Sequence, residues 1–281
     1  MRCLLPLLAV AAVFAADTPT PASTPAPLRV FIRSGPKTHG PGDHDHPSFL
    51  RDWVPFLTAA GMKVAGSNDT FPTAEQLAAT DVVIIHRQTG GDFKPAEKEI
   101  IDAYAKRGGG FVVIHAAAVA GGDASVAYYK DLIGGSWRQK FTKFREGPME
   151  LRFVRDAAGA THDPITKGVA DFTMKDEIYY DLELRDDIHA IAVATTPKKG
   201  EKPDVQTQIW TYEKSGAQRA VGFIPGHTYA NFNRPDMKLL LLRSIAWAGR
   251  RDVNTFDKQA QLEICPVFDP AKAAAEAPKS K

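Results

Sequence analysis

Asp81-Val82-Val83-Ile84-Ile85-His86 and Phe111-Val112-Val113-Ile114-His115 are the stretches that decide the fold. Each is an unbroken apolar run rich in β-branched residues, with no polar alternation. That is the pattern of a strand covered on both faces, as in a parallel sheet. Between them Pro95 is placed as the first residue of a helix over 95–106, and Gly108-Gly109-Gly110 stops it. Working outward towards the N-terminus, Leu28-Arg29-Val30-Phe31-Ile32 reads as a further strand. Phe49, Leu50, Trp53, Phe56, Leu57 and Ala60 recur at helical spacing, and Gly61 closes that helix. Met62 to Ala65 reads as a short strand and Ala74 to Ala79 as a short helix. Beyond residue 148 the pattern changes: Met149–Val154, Ala190–Thr195, Gln206–Tyr212 and Ala220–Ile224 are strand-like with turns between them. Pro235 opens a closing helix whose inner face is Met237, Leu240, Leu241, Ile245 and Ala248. The expected fold is a three-layer α/β domain with a mostly parallel central sheet and a partly antiparallel extension.

The ends read differently. Met1-Arg2, an apolar run from Leu4 to Phe14 and small residues around Ala15 predict a signal peptide over 1–15. The run is shorter than the roughly 20 apolar residues that cross a bilayer. A Pro/Thr/Ala-rich linker over 16–27 follows, then the domain over 28–256 and a C-terminal tail over 257–281. The expected location is exported, periplasmic or secreted. Of the two cysteines only Cys265 survives cleavage, so stability must come from a core rather than a disulfide. A net charge of +2 points neither to nucleic acid nor to a membrane surface.

Chemistry-bearing residues gather at strand ends. His39-Gly40-Pro41-Gly42-Asp43-His44-Asp45-His46 puts three of the eight histidines and two aspartates into one loop after the first strand. His86, His115 and His227 each end a further strand, and parallel strands share one carboxyl edge, where open α/β sheets bind ligands. A histidine satisfied at the sheet edge is the simpler reading of His86. Asp176-Glu177-Ile178-Tyr179-Tyr180 adds a carboxylate beside two phenols, with Tyr179 packing inward as an equal alternative. Arg138, Lys140, Lys143 and Arg145 read as a solvated loop.

Together with Leu132-Ile133-Gly134-Gly135, Pro164-Ile165-Thr166-Lys167-Gly168-Val169 and Pro225-Gly226-His227 leading to Ile245-Ala246-Trp247-Ala248, these stretches resemble the ThuA-like proteins named for trehalose utilisation. The resemblance spans Leu28 to Asn254. It implies the flavodoxin-like fold of the class I glutamine amidotransferase superfamily. It also implies carbohydrate metabolism, in company with dehydrogenases that oxidise a glycoside hydroxyl to a 3-keto group. Where amidotransferases carry a nucleophilic cysteine, this chain has His115-Ala116-Ala117-Ala118, and no serine stands in a Gly-x-Ser-x-Gly turn.

On a 3-keto-glycoside, removal of the C2 proton and departure of the glycosidic oxygen need a base, an acid and a group that holds the enolate oxygen. His115 and His227 are expected to transfer protons, with Glu177 in support. His39, His44, His46, Tyr179 and His86 are expected to contact a small-molecule saccharide. His39, His44 and His46 are also the candidates for a divalent metal such as zinc, although their spacing matches no standard zinc motif. Two other readings stand beside this one. A non-catalytic sugar-binding module would place Trp137, Trp210 and the tyrosines in the cleft, and a metal-dependent hydrolase would use a bound water.

Overall fold

The computed structural model describes residues 26–196 and 204–264. The expected signal peptide, most of the linker and Cys265 with the rest of the tail lie outside these residues. β1 (Arg29–Ser34) is followed by α1 (His46–Ala59), β2 (Lys63–Asn68), α2 (Ala74–Ala78), β3 (Val82–His86) and α3 (Pro95–Lys106). β4 (Gly110–Ile114) leads through a 3-10 turn (His115–Ala118) into α4 (Asp123–Ile133). Next come β5 (Gly135–Ser136), β6 (Lys143–Phe153), β7 (Phe172–Tyr180), β8 (Glu183–Leu184), β9 (His189–Thr196), β10 (Asp204–Glu213) and β11 (Arg219–Phe223). A 3-10 segment (Tyr229–Asn233), α5 (Pro235–Ala248) and a second 3-10 segment (Val253–Gln261) complete the described chain.

Nine strands form one sheet in the order β2-β1-β3-β4-β11-β10-β9-β6-β7. The first five are parallel to one another, and every later neighbour pairs antiparallel. The parallel part has the flavodoxin-like order, with its topological switch point between β1 and β3. Successive side chains of the central strands alternate between two cores. Ile32, Ile84, Val112, Ile114 and Phe223 pack with Phe49, Trp53, Leu241 and Ile245 from α1 and α5. Phe31, Val83, Ile85, Phe111 and Val113 pack with Tyr104, Tyr129 and Leu132 from α3 and α4. Each such side chain contributes about 1.5–3 kcal/mol by leaving water, which is why both faces demand apolar runs.

The departures from expectation lie where the pattern is weak. α1 begins at His46, because the Asp45 carboxylate caps it by accepting from Ser48 N at 3.3 Å and Pro47 suits its first turn. The histidine-rich loop therefore ends one residue early. β6 starts at Lys143 instead of Met149, so Lys143 and Arg145 belong to a strand, paired with Tyr180 and Ile178. Its first half is solvated, which hid it. α4 is a helix beyond those the sequence pattern announces. Tyr179 packs inward, 4% exposed.

Candidate functional site

The carboxyl ends of β1, β4 and β11 bring three imidazoles together, and β7 reaches across with a carboxylate. One ligand atom from each of His44, His115, Glu177 and His227 lies within 4.8 Å of the others, and all four residues are buried. His115 Nε2 stands 3.0 Å from His44 Nε2, 3.2 Å from the Tyr179 hydroxyl and 3.4 Å from Glu177 Oε2. His227 Nδ1 stands 3.4 Å from the same Glu177 oxygen, yet it has no hydrogen-bond partner.

Local structure fixes which ring atoms face inward. His115 occupies the strand-to-helix turn with φ of 53°, a left-handed conformation unfavourable for a side chain of this size. Its Nδ1–H donates to Ile224 O at 2.8 Å, so Nε2 presents a lone pair to the cluster. His44, also at positive φ, turns Nδ1 towards Gln88 Oε1 at 2.9 Å and likewise presents Nε2. The loop is tied to the β11 end by His44 N donating to His227 O at 2.9 Å and Tyr229 N donating to Gly42 O at 2.7 Å. Gly226 precedes His227 with φ of 140°; a Cβ there would lie 2.9 Å from Phe232 and 3.0 Å from Ile114. Asp176 holds the other side. Fully buried, it accepts from Gly226 N, His227 N at 3.0 Å and Asn231 Nδ2 at 2.7 Å, which clasps β7 to the His227 loop.

The electrostatics follow from burial and crowding. Burial, then the neighbouring imidazoles, push the pKa of His44 down to about 2. Burial acts against the charged form of Glu177, but His115 and His227 hold it well below the usual carboxylate range. Burial also opposes the charge of His227, and Glu177, Asp43 and Asp176 together raise its pKa above the ordinary value. Burial keeps Tyr179 protonated, with Glu177 and Asp176 adding to the effect.

Two inward lone pairs 3.0 Å apart repel unless something positive lies between them. Three imidazoles and a carboxylate are a donor set for zinc and similar first-row ions. Tetrahedral bonding at ordinary Zn–N and Zn–O lengths places ligand atoms about 3.4 Å apart. Three separations in the cluster, at 3.0, 3.4 and 3.4 Å, come close to that. The residues fit a divalent cation, and the orphaned His227 Nδ1 fits it too.

The histidine-rich loop is thereby divided. His44 joins the cluster. His39 is exposed, with its ring centroid 3.9 Å from that of His44, and lines the cavity above it. His46 lies beneath, donating from Nδ1 to Pro36 O at 2.9 Å, with its pKa lowered to about 4 by burial. The candidate ligand set therefore differs from the one expected of the loop alone: His115, Glu177 and His227 stand with His44, in place of His39 and His46. His86 is 1% exposed and packs against His46, Phe49 and Phe232. It is absent from the cavity lining, so the expected saccharide contact gives way to the simpler reading. Neither of its ring nitrogens has a hydrogen-bond partner.

The cavity, of about 140 Å³, is lined by His39, His44, Gln88, Val119, Trp137, Gln139, Phe144, Glu177 and Tyr179. Gln88, Gln139 and Phe144 escaped the sequence reading, as did the clasp role of Asp176. Trp210, in contrast, is buried in the core and donates Nε1–H to Ile133 O.

Comparison with known proteins adds a family. The family model described as "Trehalose utilisation" matches residues 33–248. No curated protein matches the chain in sequence. A ThuA-like protein from Bacteroides uniformis superposes with a TM-score of 0.60 at 18% identity, covering 82% of this chain and 95% of that one. A ThuA-like protein from Parabacteroides merdae gives 0.62 at 15% identity, covering 79% and 90%. A cytoplasmic protein from Salmonella typhimurium gives 0.53 at 14% identity, covering 79% and 98%. At these identities the likeness shows the fold.

Proposed function

Because the chain belongs to the ThuA family of trehalose utilisation, we propose that it is a metal-assisted enzyme of carbohydrate metabolism that cleaves glycosides, 3-keto-glycosides in particular. One observation carries the reading: four buried ligand atoms, three imidazole and one carboxylate, within 4.8 Å of one another beside a cavity. Buried polar groups of this kind are costly unless paired, and their concentration at a strand edge is how sites are built. A divalent ion bound by His44, His115, Glu177 and His227 would supply electrophilic stabilisation of a substrate oxygen.

The chain's own residues do the rest. With His115 and His227 engaged as ligands, the mobile proton passes to His39, the lining imidazole outside the cluster, and to the Tyr179 hydroxyl, which burial keeps protonated. His39 stands at the mouth, where it can take a proton from the sugar. Tyr179 lies deeper and can give one to the departing oxygen. Trp137 and Phe144 offer apolar faces to a pyranose ring, and the amides of Gln88 and Gln139 offer donors and acceptors to its hydroxyls. Export, read from residues 1–15, remains part of the proposal. It requires the mature protein to begin near Ala16.

The test is metal analysis of purified protein, followed by incubation with plain and 3-keto glycosides before and after chelation. Release of aglycone from the keto substrates, lost on chelation and restored by zinc, is the expected result. A metal-free protein that releases nothing from the whole panel overturns it. The aromatic lining favours one second reading, a sugar-binding module, which predicts tight binding of an unmodified sugar without turnover.

A further inference from the structure

A second cavity, of about 790 Å³, opens at the same strand edge on the α3–α4 side of the sheet. It lies at the switch point between β1 and β3, the place where open sheets of this order take up ligands. Arg33, the next-to-last residue of β1, lines it and is only 4% exposed. The guanidinium is held by two aromatic rings, 4.7 Å from the centroid of Phe71 and 5.4 Å from that of Phe93. Its Nε and Nη1 have no hydrogen-bond partner. Three of the five guanidinium N–H donors are thus out of water with no acceptor, a costly arrangement that is rare in folded proteins.

The groups around it do not fill that need. Arg87, just beyond β3, and Lys94 bring further positive charge. Three acids share the cavity, but each already has a partner. Asp69 pairs with Arg87 at 3.1 Å, Asp92 accepts from Gly121 N at 2.7 Å, and Glu97 accepts from Lys94 N at 2.9 Å. Across from the arginines, Gly121, Gly122 and Ser125 line the wall. Gly122 is the N-cap of the 11-residue α4, and no side chain caps that helix. The N-terminus of α4, whose first turn also carries the exposed Asp123, borders the cavity with the positive end of the helix dipole. The hydroxyl of Tyr129, which is fully buried, also lacks a partner.

We propose that this cavity binds the oxyanion of a small molecule, a carboxylate, sulfate or phosphate, between Arg33 and Arg87 on one side and the α4 N-terminus on the other. A planar guanidinium with free donors suits two oxygens of one such group, and the aromatic clamp keeps its plane fixed for them. The site is separate from the histidine cluster and does not depend on what that cluster does.

The experiment is thermal unfolding and calorimetric titration of the whole protein with glucuronate, sulfate and phosphate, each against chloride at equal ionic strength. A saturable rise in Tm with at least one of the three is expected, since a ligand of the folded state stabilises it by mass action. Arg33→Met should weaken that response about tenfold or more, and Arg33→Lys, which keeps charge but loses the fork, should recover only part of it. Preference for glucuronate identifies an acidic saccharide; preference for sulfate or phosphate identifies a tetrahedral oxyanion group. Should Arg33→Met not fold, Arg87→Gln at the rim carries the same expectation. No saturable response to any of the three anions, or a response that survives both Arg33→Met and Arg87→Gln, overturns the proposal.

Discussion

The parallel and antiparallel halves of the sheet contribute different atoms to the candidate site. The parallel half supplies nitrogen: His44, His115 and His227 all stand beyond the ends of its strands. The antiparallel half supplies oxygen: Asp176, Glu177 and Tyr179 all lie on β7, at the far edge of the sheet order. Side chains buried on both faces overdetermine the parallel strands, so they can hold His115 at an unfavourable φ. The antiparallel strands are half solvated, and their carboxylates reach the interior only because other groups meet them there. The site is a joint between a rigid nitrogen donor set and an oxygen donor set that must be clasped to it.

Cutting the joint at the cluster should have the largest effect. Glu177→Gln and His115→Ala, one from each half, should each lower metal retention and glycoside turnover by about 100-fold or more, the upper range seen when even supporting groups of a metal site are lost. Metal content and turnover measured on the same samples decide it. If either variant keeps both, that half is not a ligand donor. Asp176→Asn attacks the clasp instead. Its remaining oxygen can keep the backbone N–H groups of Glu177, Gly226 and His227, but its NH2 would then face the Asn231 amide, which now donates to the second carboxylate oxygen. The expected cost is about 3 kcal/mol in urea unfolding, the range for stranding buried partners of a charged group. Wild-type stability in that variant would show the halves to be joined elsewhere.

The two halves also differ in how far they can be read from sequence. The runs 82–85 and 111–114 could only be buried strands, and His115 and His227 could be placed at their common edge because parallel direction follows from the pattern. Glu177 was visible as a carboxylate beside two phenols, but its meeting with His115 depends on β6 and β7 pairing and then on β10 carrying them back. Nothing local encodes that. β6 is half hidden because Lys143 to Glu146 face water, and α4 because it is short and no side-chain N-cap announces it, although Val126, Tyr129, Leu132 and Ile133 share one face. The histidine-rich loop misled in another way. Its composition announced a site, but which of its rings points inward depends on the positive φ of His44 and on Gln88, a residue of ordinary character 44 positions away. Asp176 could not be foreseen as a clasp, because three of its partners, two in a loop and one in the following 3-10 segment, lie some fifty residues away.

Within the parallel half, His86 tests whether every strand-end imidazole belongs to the site. Its ring is buried among Phe49, Phe232 and His46, and both nitrogens lack partners. Burial lowers its pKa well below the ordinary value, so it is neutral and strands one N–H. His86→Leu should raise stability by about 1 kcal/mol, because an unsatisfied donor leaves and an apolar group replaces it. Turnover should be unchanged. A fall in turnover without a fall in stability would restore His86 to the site.

The smallest effects compare like with like, a forked ion pair far from the cluster taken from each half. In the parallel half Arg29 grips Asp81 through Nε and Nη2, joining β1 to the start of β3. In the antiparallel half Arg155 grips Asp171 through Nη1 at 2.8 Å and Nη2 at 2.9 Å. Burial works against the charge of each carboxylate, but the facing arginine brings both pKa values below the usual one. A carboxyl group depressed in the folded state stabilises above its unfolded pKa, near about 4, and that contribution fades as pH falls through the lower folded value. Asp81→Asn should therefore cost under about 1 kcal/mol at neutral pH, because the pair is partly solvated. The gap to wild type should narrow progressively between neutral pH and about pH 2, as the carboxyl takes up its proton. Asp171→Asn should show the same sign and a smaller gap, since its pair lies closer to solvent and lacks two covered strands behind it. Urea unfolding of both variants at the two pH values measures this directly, and a gap that persists in acid would mean that the fork acts through packing instead of charge.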